Sequence, residues 1–182
     1  VEPIVKTLVS MHTVVLMDCD FSTPMRYFKY AQEIYLVQSM DILTIQPLTM
    51  FLRQLSDKDM FDEGKARVVL NKFLKTKEIN EEILIGGISI YNDAAMTLRK
   101  ELFNRKTVPH ITIPFDLKSY LRYLDGLVTC DVSLKGYTKD FIQCLQNLAN
   151  MVYTINKKNT KYAPPSIKNN NNNNGFSSRM NN

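Results

Sequence analysis

Short apolar runs alternate with amphipathic stretches along this chain, and each run ends at a polar residue or a proline. The runs cover residues 14–17, 34–37, 68–70 and 111–113. Unbroken apolar runs are typical of strands that are covered on both faces, and strands separated by helical patterns favour parallel pairing. We therefore expect an α/β fold: a doubly wound, mostly parallel sheet with helices on both faces.

The spacing of apolar residues also predicts where each element lies. Strands are expected over residues 12–19, 33–38, 65–70 and 108–113. Helices are expected over residues 3–11, around Phe28, around 48–55, and over 81–85, 93–103, 117–124 and 138–153. Short polar side chains that favour helix N-termini stand at Asp41, Asn80, Asn92 and Asp116. Helix ends are expected at the glycine pair Gly86–Gly87 and at Asp125–Gly126.

Charge divides the chain into a body and a tail. The formal net charge is +5, but residues 157–182 hold five of the 23 basic residues and no acid, so the remaining 18 bases equal the 18 acids. A neutral body argues against a broad nucleic-acid-binding face. The tail is rich in asparagine and cannot bury a core, which predicts a folded domain over 1–156 and a disordered basic tail over 157–182.

The remaining composition points to a protein of the cytoplasm. The three cysteines, Cys19, Cys130 and Cys144, are odd in number and lack metal-ligand spacing, as expected for free thiols in a reducing compartment. No apolar run approaches the roughly 20 residues that a membrane-spanning helix needs. We expect no direct membrane insertion, so that any recruitment to a membrane or cell pole depends on a protein partner.

Two acids follow the first apolar run and are the candidate metal ligands. A carboxylate at the end of a buried strand suits hydrated Mg²⁺ beside nucleotide phosphates, which makes Asp18 the first candidate and Asp20 the second. The alternative is an ordinary polar residue where a strand leaves the core, a pattern that recurs in many α/β folds.

Polar residues after the third and fourth runs are candidates for contacting a nucleotide base. The amide of Asn71 both donates and accepts hydrogen bonds and so matches a purine edge, although asparagine is also common in turns. The segment Pro114, Phe115 and Asp116 could surround an adenine ring, and Asp116 equally fits a helix N-cap. In parallel sheets, ligands bind at the carboxyl ends of the strands, where all these residues are expected.

Together these segments resemble the ParA/MinD-like P-loop ATPases. The stretch VVLMDCDFSTP resembles the Walker B strand and second switch, RVVLNKF the strand that ends in the adenine-contacting asparagine, and HITIPFD the last strand, which flanks the base. Asp-Cys-Asp-Phe and the helix after the second run are most similar to the TadZ/CpaE-like pilus-assembly branch. The chain departs from the common D-x-P-P pattern at Phe21, and it contains no glycine-rich phosphate loop.

This resemblance implies an incomplete P-loop domain that lacks its Walker A segment. It implies ATP and Mg²⁺ as cofactors, with Asp18 at the metal and Asn71, Pro114, Phe115 and Asp116 at the base. It further implies an ATP-dependent homodimer that positions or partitions cellular machinery through a protein partner. ATPase activity is expected only in a longer form, and the 182-residue chain alone is expected to have no useful affinity for ATP.

Two other interpretations stay open at the level of the sequence. One is a non-hydrolysing scaffold that keeps an ATPase-like fold and binds a secretion or polarity partner; a degraded phosphate loop upstream would favour it, and an intact one would favour the ATPase. The other is a response-regulator receiver, which fits less well because the acids here precede further elements in ATPase-like order.

Overall fold

Three parallel strands form a sheet in the order β1-β2-β3 in this computed structural model, which describes residues 2–90 and 101–159. Strand β1 is Ile34–Gln38, β2 is Ala66–Phe73 and β3 is His110–Pro114. The register pairs Ile34 with Ala66 and Val68 with His110. The fold is therefore mixed α/β with a parallel sheet, as the apolar runs predict.

Five α-helices accompany the sheet within the described residues. They are α1 (Glu2–Met11), α2 (Ile45–Ser56), α3 (Glu81–Ile90), α4 (Leu117–Thr129) and α5 (Lys139–Asn159). Short 3-10 helices lie at Met25–Tyr30, Ile42–Thr44 and Glu63–Lys65. Three predicted caps are confirmed, since the side chains of Asp41, Asn80 and Asp116 accept backbone N–H groups at helix starts. Asn92 and most of the helix predicted over 93–103 lie outside the described residues, and residues 101–103 are not helical.

Two predicted helix ends are wrong, because both helices continue through their glycines. Helix α3 runs past Gly86 and Gly87 to Ile90, and its buried residue Ile88 would leave the core if the helix stopped there. Helix α4 runs past Gly126 and ends at Cys130, which adopts a left-handed conformation with φ of 55°. Packing of the surrounding structure outweighs the intrinsic helix cost of glycine, which is about 1 kcal/mol.

The main hydrophobic core lies on one face of the sheet. Its members come from alternate strand positions and from two helices: Leu36, Val68 and Leu70 from the sheet, Leu52 and Leu55 from α2, and Leu84, Ile85 and Ile88 from α3. Buried hydroxyls in this core find backbone partners, since Thr49 Oγ1 donates to the carbonyl of Ile88 at 2.9 Å. This face of the sheet is covered over β1 and β2, whereas His110, which pairs with Val68, is exposed at the start of β3.

The opposite face of the sheet is covered unevenly. Val69 and Ile113 are buried but lie outside the main core, and α5 packs against β3. Val37, which shares the face of Val69 through the β1–β2 register, keeps 62% of its surface exposed. The cover on this face therefore extends over the centre and one edge of the sheet and leaves β1 open.

The strand predicted over residues 12–19 is absent, and this is the main correction to the sequence-based fold. In the described chain, residues 14–20 have no regular secondary structure, and Leu16 is 78% exposed. A strand needs the backbone of a neighbour to satisfy its N–H and C=O groups. Apolar composition alone cannot supply that neighbour, and within residues 2–90 and 101–159 the strand β1 pairs only with β2.

The described helices include none that is long and apolar enough to cross a membrane. Helix α5 continues to Asn159, so the predicted boundary between residues 156 and 157 falls inside it. Residues 160–182, which make up most of the predicted tail, lie outside the described part of the chain.

Candidate functional site

The carboxyl ends of β2 and β3 bring four of the six predicted site residues to one edge of the sheet. Asn71 lies two residues before the end of β2, and Phe73 pairs with Pro114 at the end of β3. The backbone N–H of Phe115 donates to the carbonyl of Phe73 at 2.8 Å. Asn71, Pro114, Phe115 and Asp116 therefore share one edge, which we call the β2–β3 corner.

An irregularity in β2 shapes this corner. The register shifts between Leu70 and Phe73, and Lys72 adopts a left-handed backbone conformation with φ of 55°. Such a bulge redirects side chains at the end of a strand. The Lys72 ammonium lies 4.8 Å from the centre of the Tyr120 ring, a cation–π distance that fixes the lysine over the start of α4.

Aromatic side chains line the corner beside Lys72. The ring of Phe115 lies 5.8 Å from that of Tyr120, which in turn stacks on Tyr123 at 6.3 Å. Tyr120 is not among the predicted site residues. A signal for it exists, because Tyr120 and Tyr123 are three residues apart on the helix that follows Asp116 and therefore lie on one face of that helix. These rings offer flat apolar surface at the same corner as Asn71, which suits a heteroaromatic ligand.

Asp116 is the N-cap of α4, and its carboxylate is fully engaged in that role. Oδ1 accepts the N–H of Lys118 at 3.1 Å, while Oδ2 accepts the hydroxyls of Ser119 and Thr138 at 2.5 Å each. These hydrogen bonds, chiefly from Ser119, lower the pKa of the Asp116 carboxyl below its ordinary value. Thr138 directly precedes α5, so Asp116 joins the starts of two helices, and its alternative interpretation as a cap is confirmed.

Asp18 and Asp20 lie in a different setting from the one predicted. Asp18 is exposed on the irregular segment, and Asp20 Oδ1 accepts hydrogen bonds from the N–H and hydroxyl of Ser22 and from the hydroxyl of Thr23. The bonds from Ser22, followed by that from Thr23, lower the pKa of Asp20. Phe21 packs edge-on against Phe51 of α2 at 5.8 Å, so this loop is anchored on α2.

The described residues contain no cluster of metal-binding side chains. Within residues 2–90 and 101–159, no group of three or more histidine, cysteine, aspartate or glutamate side chains is placed to hold a metal ion. The assignment of Asp18 and Asp20 to Mg²⁺ therefore stays a prediction. Gln38, at the end of β1, is also engaged locally, since its amide donates to the carbonyls of Ser39 and Asp41 and to Thr44.

Comparison with known proteins adds no relative to this picture. A scan against protein-family models finds no match, and searches of curated proteins and of solved structures likewise find no significant similarity. The function is therefore argued from the β2–β3 corner and from the resemblance of the sequence segments.

Proposed function

We propose that the chain binds the base of a purine nucleotide, with ATP as the natural ligand, at the β2–β3 corner. The observation that carries this proposal is that Asn71, near the end of β2, shares one edge of the sheet with Pro114 and Phe115 at the end of β3, where the N–H of Phe115 donates to the carbonyl of Phe73. An asparagine amide complements a purine edge, and neighbouring aromatic rings supply stacking surface. Ligand sites of parallel sheets lie at this same edge.

The corner fits the base of ATP better than it fits the phosphates. Asn71 is partly exposed and offers both a donor and an acceptor, and the ammonium of Lys72 on the same edge lies over the ring of Tyr120. No metal-binding cluster lies among the described residues, and the Asp20 carboxylate already accepts hydrogen bonds from Ser22 and Thr23. Because Asp18 lies outside the sheet and Asp20 is engaged by its own loop, we assign no Mg²⁺–phosphate contact and no hydrolytic step to the described residues.

In the wider proposal, the chain is the later part of a doubly wound ParA/MinD-like P-loop domain. Such a protein would dimerise with ATP and position cellular machinery, in the TadZ/CpaE-like case a pilus-assembly complex, through a protein partner. The support is that two of the three parallel strands, β2 and β3, coincide in chain order with the segments RVVLNKF and HITIP, which carry the resemblance.

A scaffold without ATPase activity is the second candidate function. It is favoured by one specific observation: the first predicted metal ligand, Asp18, stands on an exposed irregular segment outside the sheet. In this interpretation the fold presents a surface to a secretion or polarity partner, and the β2–β3 corner does not bind a purine.

Ligand-observed NMR on the 182-residue chain separates these two candidates. We expect saturation transfer to the base protons of adenosine, at roughly millimolar affinity because only the base is held. The variant Asn71→Ala should abolish most of this transfer, whereas Asn150→Ala, on an exposed position of α5, should leave it unchanged. Cytidine serves as the ligand control.

A negative result has a defined meaning. Equal transfer to adenosine and cytidine, or an Asn71→Ala variant that keeps full transfer with an unchanged circular dichroism spectrum, would overturn purine binding at this corner and leave the scaffold as the better candidate.

A further inference from the structure

Helix α4 turns its apolar side away from the rest of the protein. Ser119 and Gly126, about two turns apart on one side of the helix, are its buried residues. Leu117, Leu121, Leu124 and Val128 form an exposed stripe on the opposite side, which we call the outward stripe. At about 100° per residue, the centre of this stripe lies nearly 180° from Ser119 and Gly126.

Three further apolar side chains of this region are exposed. Leu127 and the loop residues Val132 and Leu134 are also exposed, and Val132 keeps 97% of its surface accessible. Scattered exposed leucines are normal on protein surfaces, but a contiguous apolar patch marks an interaction site. The spacing of the stripe, with steps of four and three residues, is that of a helix–helix seam.

Two charged residues identify the occupant of this seam. Lys118 and Asp125 are both exposed, lie about two turns apart, and border the outward stripe on the same side. When two copies of a helix pack antiparallel, the residues that flank the seam on one side of the first helix face the equivalent flanking residues of the second. A second copy of α4 packed antiparallel therefore places Lys118 opposite Asp125 of that copy, and the two-fold symmetry repeats the pair.

The neighbouring arginine does not compete for Asp125. The guanidinium of Arg122 donates to Asp131 and to the carbonyl of Lys135, and it lies 5.7 Å from the centre of the Tyr137 ring. This arrangement ties the loop after α4 back onto the helix. It also leaves an open groove beside the outward stripe, lined by Leu117, Lys118, Leu121, Arg122, Asp125 and Gly136.

We propose that the outward stripe of α4 is a homodimer interface in which two copies of this chain pack α4 antiparallel about a two-fold axis. The leucines form the seam, and the Lys118–Asp125 pairs set the antiparallel orientation. This contact uses neither Asn71 nor Phe115, so it requires no nucleotide and stands independently of purine binding.

Sedimentation equilibrium of the 182-residue chain without nucleotide tests this interface. We expect a reversible dimer whose dissociation constant rises at least about tenfold in Leu121→Asp, because the aspartate would be buried in the seam. Met50→Asp is the matched control: Met50 is 52% exposed on α2, as Leu121 is 51% exposed on α4. The control should associate like the unmodified chain.

Charge reversal tests the orientation of the two helices. Lys118→Asp and Asp125→Lys should each weaken the dimer, because each single change places like charges opposite one another. The double variant should restore the dimer, and high salt should reduce all three effects. A chain that stays monomeric up to about 1 mM, a dimer that Leu121→Asp leaves intact, or single reversals that the double variant does not rescue would each overturn the proposal.

Discussion

At the scale of single residues, the most connected side chains of the described structure are ones that hold segments together. Asp116 joins the starts of α4 and α5, and Arg122 holds the loop between them. At the other end of the sheet, Glu33 accepts the hydroxyl of Tyr35 at 2.7 Å and forms an ion pair with Arg67 of β2 at 2.8 Å. The contribution of each side chain to stability depends on how many hydrogen-bond partners its removal would leave unsatisfied.

The pH dependence of stability should report the Asp116 carboxylate. Because its pKa is lowered on folding, the charged form stabilises the protein above the ordinary pKa of 3.8, and this contribution is lost as pH falls through the lower folded-state pKa. Asp116→Asn keeps a cap acceptor but cannot accept on both side-chain atoms. We expect the variant to melt at a lower temperature at neutral pH.

The difference in melting temperature between the unmodified chain and Asp116→Asn should shrink between about pH 5 and pH 2. Glu78→Gln, at an exposed loop position, controls for the general loss of negative charge. A constant difference across this range would show that the carboxylate charge contributes nothing.

The buried ion pair gives a second prediction at this scale. Arg67 also donates to the carbonyls of Gly64 and Ala66, so Arg67→Met would strand Glu33 and remove two further bonds. We expect a loss of about 3–5 kcal/mol in the free energy of unfolding by urea, much of which Glu33→Gln should restore in the double variant.

The exposed pair Glu101–Arg105, whose charged groups lie 3.9 Å apart, is the comparison for that measurement. Arg105→Met should cost less than about 1 kcal/mol. If Arg67→Met cost as little as this, the Glu33–Arg67 pair would be no stronger than a surface ion pair.

At the scale of elements, glycines inside helices have opposite roles in α3 and α4. A methyl group added at Gly87 would meet Ile45 of α2 at 3.4 Å, an ordinary contact. A methyl group added at Gly126 would lie 2.6 Å from the backbone carbonyl oxygen of Asp131. A methyl group therefore fits at Gly87 without a clash. At Gly126 the absence of a side chain permits the close return of the chain after α4.

The same substitution should therefore change stability in opposite directions at these two positions. Gly87→Ala should raise the free energy of unfolding by about 0.5–1 kcal/mol, because alanine restricts the unfolded chain and favours the helix. Gly126→Ala should lower it by about 1–3 kcal/mol, because the backbone at Asp131 has to move. Denaturant melts of both variants decide the matter, and equal signs would refute this account.

At the scale of the whole molecule, local patterns predict what depends on near neighbours in sequence. The strands β1, β2 and β3 and the caps at Asp41, Asn80 and Asp116 follow from apolar runs and short polar side chains. The failures concern pairing and burial, which depend on distant parts of the chain. Residues 14–17 have the composition of a strand without its partner. Helix α3 crosses two glycines because residues on both sides of them, Ile85 and Ile88, are buried in the core.

The candidate site likewise combines features that the sequence predicts with features that it does not. Asn71, Pro114, Phe115 and Asp116 follow strands whose register the sheet enforces, so their shared edge is predictable. The left-handed backbone at Lys72 belongs to the bulge at the end of β2, which leaves no distinct mark in the sequence, so the sequence does not predict that Lys72 lies over the ring of Tyr120. In the sequence, the outward stripe of α4 is indistinguishable from the apolar side of a helix that packs on the core. Periodicity identifies the apolar side of a helix but not what that side contacts.

The parallel register of the sheet also determines how this chain reaches its folded state. Each strand pair joins residues that are roughly thirty to forty positions apart, with a helix in between. Among the described strands no tight hairpin offers a quick first contact, so the chain loses the entropy of closing two long loops before either pair of strands gains its hydrogen bonds. Helices α2 and α3 shorten those loops. We therefore expect their early formation to bring the three strands within reach of one another.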